Sequence, residues 1–237
     1  MTDARSRLIV ALDVPDRRSA LARIASLSGH AGCFKVGLEL FVREGPRLVE
    51  EILGLGEKVF LDLKLHDIPN TVAGAVRSAG RLGVQMLTIH ASGGGEMLKA
   101  ARDSAESAER PPMLLAVTAL TSVSQTEAQR IGVGMPLGQW VERLAQIAVE
   151  AGIQGLVTSP LEVSGLRQRF GADPRIVVPG IRPAGAGSQD QARTGRPADA
   201  IRAGADYLVV GRPVLQDPDP PGAADRIVAE IANAAEL

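Results

Sequence analysis

An α/β fold, and within that class a (β/α)8 TIM barrel, is predicted by three features of the sequence. Eight short apolar runs rich in β-branched residues recur along the 237 residues. Their apolarity is continuous rather than alternating, as parallel strands covered on both faces require. Helix-like segments rich in Ala, Leu, Arg and Glu separate them, so that strand starts fall ~20 to 40 residues apart, the scale of a βα unit. Eight such units in one chain of this length point to a barrel.

In chain order the expected strands are 8–14, 33–40, 58–64, 86–91, 113–120, 155–160, 175–181 and 207–214. The clearest helical segments between them are 17–27, 70–82, 137–151 and 223–235. A doubly wound open sheet is the runner-up, but no Gly-x-Gly-x-x-Gly follows the first strand as a dinucleotide fold would want. No linker interrupts the pattern, so residues 1–237 are expected to form a single domain.

At 45% hydrophobic and 22% charged the chain can bury a substantial core. A net charge of −1 offers no strong basic field to nucleic acid or a membrane surface, and 3% aromatics leave few stacking platforms for bases. The lone cysteine, Cys33, excludes an intramolecular disulfide framework and fits a reducing compartment. The opening MTDARSRLIV holds no secretion signal, and no window of ~18 apolar residues could span a bilayer. The expectation is a soluble, cytoplasmic globular protein with neither nucleic-acid nor membrane partners.

Chemistry in a (β/α)8 barrel sits where strands end and βα loops begin. Those positions carry a polar set: Asp13, Lys35, Asp62, Lys64, His90, Thr118, Thr121, Ser159, Arg182 and Arg212. A closed apolar core would not gather that many hydrogen-bonding groups without a ligand to meet them. The most informative stretch is FLDLKLHDIPNTV, from Phe60 to Val72. Only Lys35, Lys58, Lys64 and Lys99 among the 26 basic residues are lysines. A lysine closing a core strand therefore suggests a site where arginine would not serve, since an ammonium is compact and can give up a proton.

Asp62 and Lys64 are two apart and face one side, with Leu61, Leu63 and Leu65 on the other. Asp13 and Lys35, on the neighbouring strands, complete an alternating cluster. At ~4 Å and an effective dielectric of ~20, each opposite pair gains about 4 kcal/mol before desolvation is subtracted. Such a cluster can also be a buried ion-pair network that merely orients the barrel. Asp67 falls in the following loop, where spacing alone favours an N-cap ahead of Pro69, with Asn70 and Thr71 as ordinary first-turn residues.

Gly211-Arg212 after strand eight, and the Gly-rich loop from Arg182 to Gln191 after strand seven, match the usual phosphate cradle and lid of such barrels. Together they make a phosphorylated small molecule the expected ligand. His90 reads first as a hydrogen-bonded scaffold residue, and His30, His66 and His90 show no metal-ligand spacing. The stretch 121–137 is either a second lid or an irregular connection.

These residues resemble the orotidine 5′-phosphate decarboxylase family from Leu8 to about Leu215. The likeness rests on Ala11-Leu-Asp13, Phe34-Lys-Val-Gly37, the Asp62–Thr71 run, His90-Ala-Ser-Gly-Gly94 and Leu120-Thr-Ser122. It continues in Pro179-Gly-Ile-Arg182, Asp190-Gln-Ala-Arg193 and Val210-Gly-Arg212. Asp-x-Lys-x-x-Asp alone is shared with a wider group of phosphate-binding barrels, whose metal-dependent sugar-phosphate members carry an acidic residue in place of Lys35. The resemblance implies a cofactor-free, metal-free decarboxylation of orotidine 5′-phosphate. It implies that Asp13 and Lys35 contact the ribose, Asp62 lies near the substrate carboxylate and Lys64 protonates C6. Asp67, Ile68 and Thr71 would reach into the partner's site of a homodimer with shared active sites, and Thr121 would address the pyrimidine. Gln191, Gly211 and Arg212 would hold the phosphate, with Arg182 helping order the loop or contact the ligand. The alternatives are a metal-dependent sugar-phosphate decarboxylase or aldolase and a catalytically silent phosphate-binding barrel.

Overall fold

A computed structural model of the chain describes residues 3–183 and 193–235. Its strands are β1 (Leu8–Ala11), β2 (Cys33–Gly37), β3 (Val59–Leu65), β4 (Met86–His90), β5 (Met113–Val117), β6 (Gly155–Val157), β7 (Arg175–Val178) and β8 (Tyr207–Val210). All pair in parallel in sequence order, and β8 returns to β1 through Leu8↔Leu208 and Ile9↔Val209, so the sheet closes on itself. The first half of the surrounding layer is α1 (Arg17–Leu27), α2 (Leu38–Glu44), α3 (Pro46–Gly54), α4 (Pro69–Leu82) and α5 (Gly94–Glu106). The second is α6 (Gln125–Arg130), α7 (Leu137–Glu150), α8 (Val163–Phe170), α9 (Pro197–Arg202), α10 (Arg212–Leu215) and α11 (Pro220–Ala235). The expected (β/α)8 barrel is what the chain forms.

Local chemistry explains several boundaries. Asp16 accepts a hydrogen bond from Ser19 N at 2.8 Å and opens α1. Proline occupies the first turn of α3, α4 and α9, where its missing N–H costs nothing. The apolar runs overshoot the strands at their C-terminal ends. Leu38 and Leu40 belong to α2 and Val214 to α10, because apolar residues that pack a helix on the barrel continue the run without a break in composition. The 121–137 stretch resolves as a connection carrying α6, capped by Ser124 and tied by Gln125 Oε1 to Leu137 N at 2.6 Å.

Two apolar layers result. The outer one lies between strands and helices, with Leu8, Val10, Phe34, Leu61, Leu87 and Ile176 among its buried members. The inner one fills the barrel with Ile9, Ala11, Cys33, Phe60, Met86, Leu115, Val177 and Val209. Burial at this position pushes the Cys33 thiol up to about 12, which keeps it inert. Towards the C-terminal ends of β1–β4 this apolar filling gives way to charged and hydroxyl side chains.

Strand β3 departs from regular pairing at that transition. Phe60 and Leu61 face Met86 and Leu87, but the next paired residue, Leu65, faces Ile89. Four steps along β3 thus cover two along β4, a bulge that holds Lys64 at φ +51°. Among the described residues Lys64 is the one non-glycine in the left-handed region. Such a conformation costs on the order of 1–3 kcal/mol and persists only where its surroundings over-determine it.

Candidate active site

The barrel mouth encloses a cavity of about 240 Å³ lined by residues from seven of the eight strand ends, β4 excepted. Seven of the ten polar residues expected at strand ends meet there: Asp13, Lys35, Asp62, Lys64, Thr121, Arg182 and Arg212. The other three turn away for identifiable reasons. Thr118 Oγ1 donates to Val157 O at 3.0 Å, Ser159 Oγ donates to Glu162, and the His90 ring lies against His66 with centroids 5.2 Å apart.

The charged residues form a chain across the cavity floor. Lys64 Nζ donates to both Asp62 oxygens at 2.9 Å. Lys35 Nζ stands 3.6 Å from Asp62 Oδ2 and 3.4 Å from Asp13 Oδ1. Burial works to raise the Asp62 pKa, but Lys35, Lys64 and the hydrogen bonds from Lys64 and Thr88 outweigh it, leaving the carboxyl below its ordinary value. All four side chains therefore meet in alternating sign. A smaller recess of about 150 Å³ on the β1–β2 side shares these four residues and is bounded by Gly37, Leu38 and Glu39.

Thr88 is a member of this network that motif reading missed. Fully buried on β4, its hydroxyl donates to Asp62 Oδ1 at 2.9 Å and accepts from Lys64 N at 2.8 Å. One side chain thus fixes both the carboxylate and the strained backbone of the lysine. The signal available in the sequence was parity: Thr88 is two residues beyond Met86, which points into the barrel. Thr158, which also lines the cavity, was missed as well.

Glycines keep the space open. A Cβ on Gly37 would stand 3.0 Å from Lys35 Nζ, and one on Gly211 would stand 3.0 Å from Asp13 Oδ2 and 3.5 Å from Ala11 Cβ. Gly211 and Arg212 close the wall after β8, and Arg182 follows the neighbouring strand β7, its amide donating to Gly195 O at 2.9 Å. Gln191 lies outside the described residues.

Asp67, Ile68 and Thr71 do not line the cavity of their own chain. They belong to an exposed stretch from His66 to Thr71, with Ile68 67% exposed. The capping reading of Asp67 fails here. Ile68 occupies the N-cap of α4 with no side-chain cap bond, and Asp67 Oδ1 instead accepts from Ile68 N at 2.6 Å. His90 is held below the usual histidine pKa by burial first, then by His66 and Lys64, with Asp62 opposing.

Comparison with known proteins agrees closely with this geometry. Residues 6–227 match the model of the orotidine 5′-phosphate decarboxylase / HUMPS family. The chain is 49% identical over 235 residues to an orotidine 5′-phosphate decarboxylase of Moorella thermoacetica, covering 96% of this chain and 93% of that one. It is 48% identical over 241 residues to one of Syntrophotalea carbinolica, covering 100% and 99%. In three dimensions it is similar to the crystal structure of orotidine 5′-phosphate decarboxylase from Lactobacillus acidophilus, with a TM-score of 0.84, 37% identity and coverage of 94% of this chain and 98% of that one.

Proposed function

The chain belongs to the orotidine 5′-phosphate decarboxylase / HUMPS family, and on that premise we propose that it converts orotidine 5′-phosphate to UMP and CO2. The observation that carries this reading is the Asp13–Lys35–Asp62–Lys64 chain of alternating charges on the floor of a cavity lined by Arg182, Gly211 and Arg212. Full-length relatives at about half identity bear the decarboxylase name. That favours this activity over a sugar-phosphate decarboxylase or aldolase.

The chemistry explains the residue types. Breaking the C6–carboxylate bond releases CO2 and leaves an electron pair in the plane of the ring, out of conjugation with it. Stabilisation must then come from a charge already fixed beside C6. Lys64 supplies it: its ammonium, aimed by Asp62, meets the developing carbanion and donates a proton to C6, then recovers one from solvent. Asp62, already saturated with donors, lies where the substrate carboxylate enters and disfavours its charge. Lys35 and Asp13 hold the ribose hydroxyls and keep the network neutral in sum.

Thr121 addresses the pyrimidine edge, while Arg212, Gly211 and Gln191 hold the phosphate, with Arg182 beside them. Binding energy from that distant phosphate is available to organise the reacting end. No cofactor is required. The enzyme acts in the cytoplasm as a homodimer of single-domain barrels, each lending Asp67, Ile68 and Thr71 to the other's site. The exposure of that stretch, and of the apolar Leu38 and Val42 at 52% and 80%, supports a covering partner.

The deciding experiment mixes the protein with orotidine 5′-phosphate in EDTA and follows the ultraviolet absorbance of the base. Conversion to the UMP spectrum is expected. An unchanged spectrum with folded protein would refute the activity, and activity that vanishes only on chelation would favour the metal-dependent alternative.

A further inference from the structure

Behind the cavity wall, away from the charges that face the ligand, lies a second ionic cluster. Arg193 is 8% exposed, and its Nη1 donates to Glu162 Oε1. Its Nη2 donates to Leu120 O at 2.9 Å and to Ala119 O at 3.4 Å. The second oxygen of Glu162 accepts from Ser159 Oγ and, at 3.4 Å, from Thr158 Oγ1. One guanidinium therefore joins the chain following β5, the chain following β6 and the return of the chain after β7.

Burying such a pair is expensive, and an apolar filling of similar volume is often as stabilising. What an apolar filling could not do is hold two main-chain carbonyls at set positions. Ala119, Leu120 and Thr121 all line the cavity, so the carbonyls that Arg193 grips immediately precede the side chain assigned to the pyrimidine. On the other side, Gly195 pairs with Ile181 and accepts from Arg182 N, and a Cβ at Gly195 would stand 2.6 Å from Pro160 Cβ. The segment that carries Arg193 is thus clamped to the backbone of Arg182.

We propose that Arg193 is a positioning residue, which, held by Glu162, locks the Leu120–Thr121 wall through the Ala119 and Leu120 carbonyls to the Ile181–Arg182 segment, so that the base and the phosphate are received by one rigid unit. The proposal rests on the decarboxylase reading of the cavity. Arginine is needed because its planar fork reaches a carboxylate and a carbonyl at once, which a single ammonium cannot do in the same geometry.

The test is a double-mutant cycle between Arg193→Lys and Thr121→Ala, read both as kcat/KM for orotidine 5′-phosphate and as affinity for UMP. Arg193→Lys is expected to lower kcat/KM roughly 10- to 100-fold, as displacement of about 1 Å does. In the Thr121→Ala background it should cost no more than about twofold further, because the two act through one element. Multiplying losses, or a wild-type kcat/KM for Arg193→Lys, would overturn the proposal, since a general loss of stability does not depend on Thr121. Should Arg193→Lys fail to fold, the cycle is run with Glu162→Gln and judged identically; failure of both to fold would make the cluster purely architectural. The UMP arm needs no turnover, so an inert wild type with a non-additive binding cycle sinks the activity and keeps the positioning role. A wild type that neither turns over nor binds UMP overturns both.

Discussion

Lys64 Nζ lies 2.9 Å from each oxygen of Asp62, on a backbone held at φ +51° by the bulge in β3. The ammonium is therefore aimed by its nearest carboxylate rather than left to sample the cavity. A proton donor fixed before the substrate arrives need not reorganise as charge develops.

Lys64→Ala should lower kcat by about 1,000-fold or more, since it removes both the fixed cation and the proton. UMP should still bind measurably, because the phosphate and ribose contacts remain. Calorimetric titration with UMP beside a turnover assay checks both halves. Near-normal turnover would remove the amine from the mechanism.

Thr88→Val keeps the shape of the side chain but deletes the hydroxyl that links Asp62 to the Lys64 amide. Leaving that N–H without an acceptor should cost about 1–3 kcal/mol in urea unfolding. Activity should fall roughly tenfold through misplacement of the amine. Unchanged stability and rate would show the hydroxyl to be incidental.

The depressed His90 pKa carries a sign that can be tested. The unfolded chain takes up this proton before the folded one does. Stability is therefore intact above about pH 6.5 and declines as pH falls from there towards the folded value. Asp62, lowered instead as an acid, contributes stability that is lost only below the ordinary carboxylate range. Between pH 7 and 5, His90→Asn should lose less stability than the wild type does. Equal losses would assign the acid sensitivity elsewhere.

Ile68→Asp should leave subunit stability within about 0.5 kcal/mol, because the side chain is already 67% exposed. It should dissociate the dimer and depress activity in parallel, as seen by sedimentation and by assay over a dilution series. A variant that stays active as a monomer would end the shared-site model.

Much of this was legible in the sequence, and the parts that were not share a cause. Parallel strands buried on both faces are marked by composition, so all eight were found. Their ends were not, because Leu38 and Val214 continue the same apolarity into α2 and α10. The Asp13, Lys35, Asp62 and Lys64 cluster follows from strand ends and parity. Lys64's bulge does not, since it depends on the pairing of Leu65 with Ile89 rather than on local residues. The partners of Thr88 and Arg193 are hidden for the same reason, lying 26 and 31 residues away at Asp62 and Glu162, although parity points Thr88 into the barrel and Arg193 closes one of the quoted motifs. Asp67 was misjudged by spacing because an acidic residue before proline caps helices in most settings, whereas here Ile68 holds that position.

The surplus in β3 also limits how this stretch can change length. One residue inserted or deleted between Leu61 and Leu65 would reverse the inward and outward sense of every later position in the strand. Deleting Leu63 and Lys64 together would restore an unbroken ladder with β4 and leave the barrel closed, yet would strip from its mouth the amine that Asp62 holds. Viewed as architecture, the strand is longer than the sheet requires, and that excess is where the strained lysine sits.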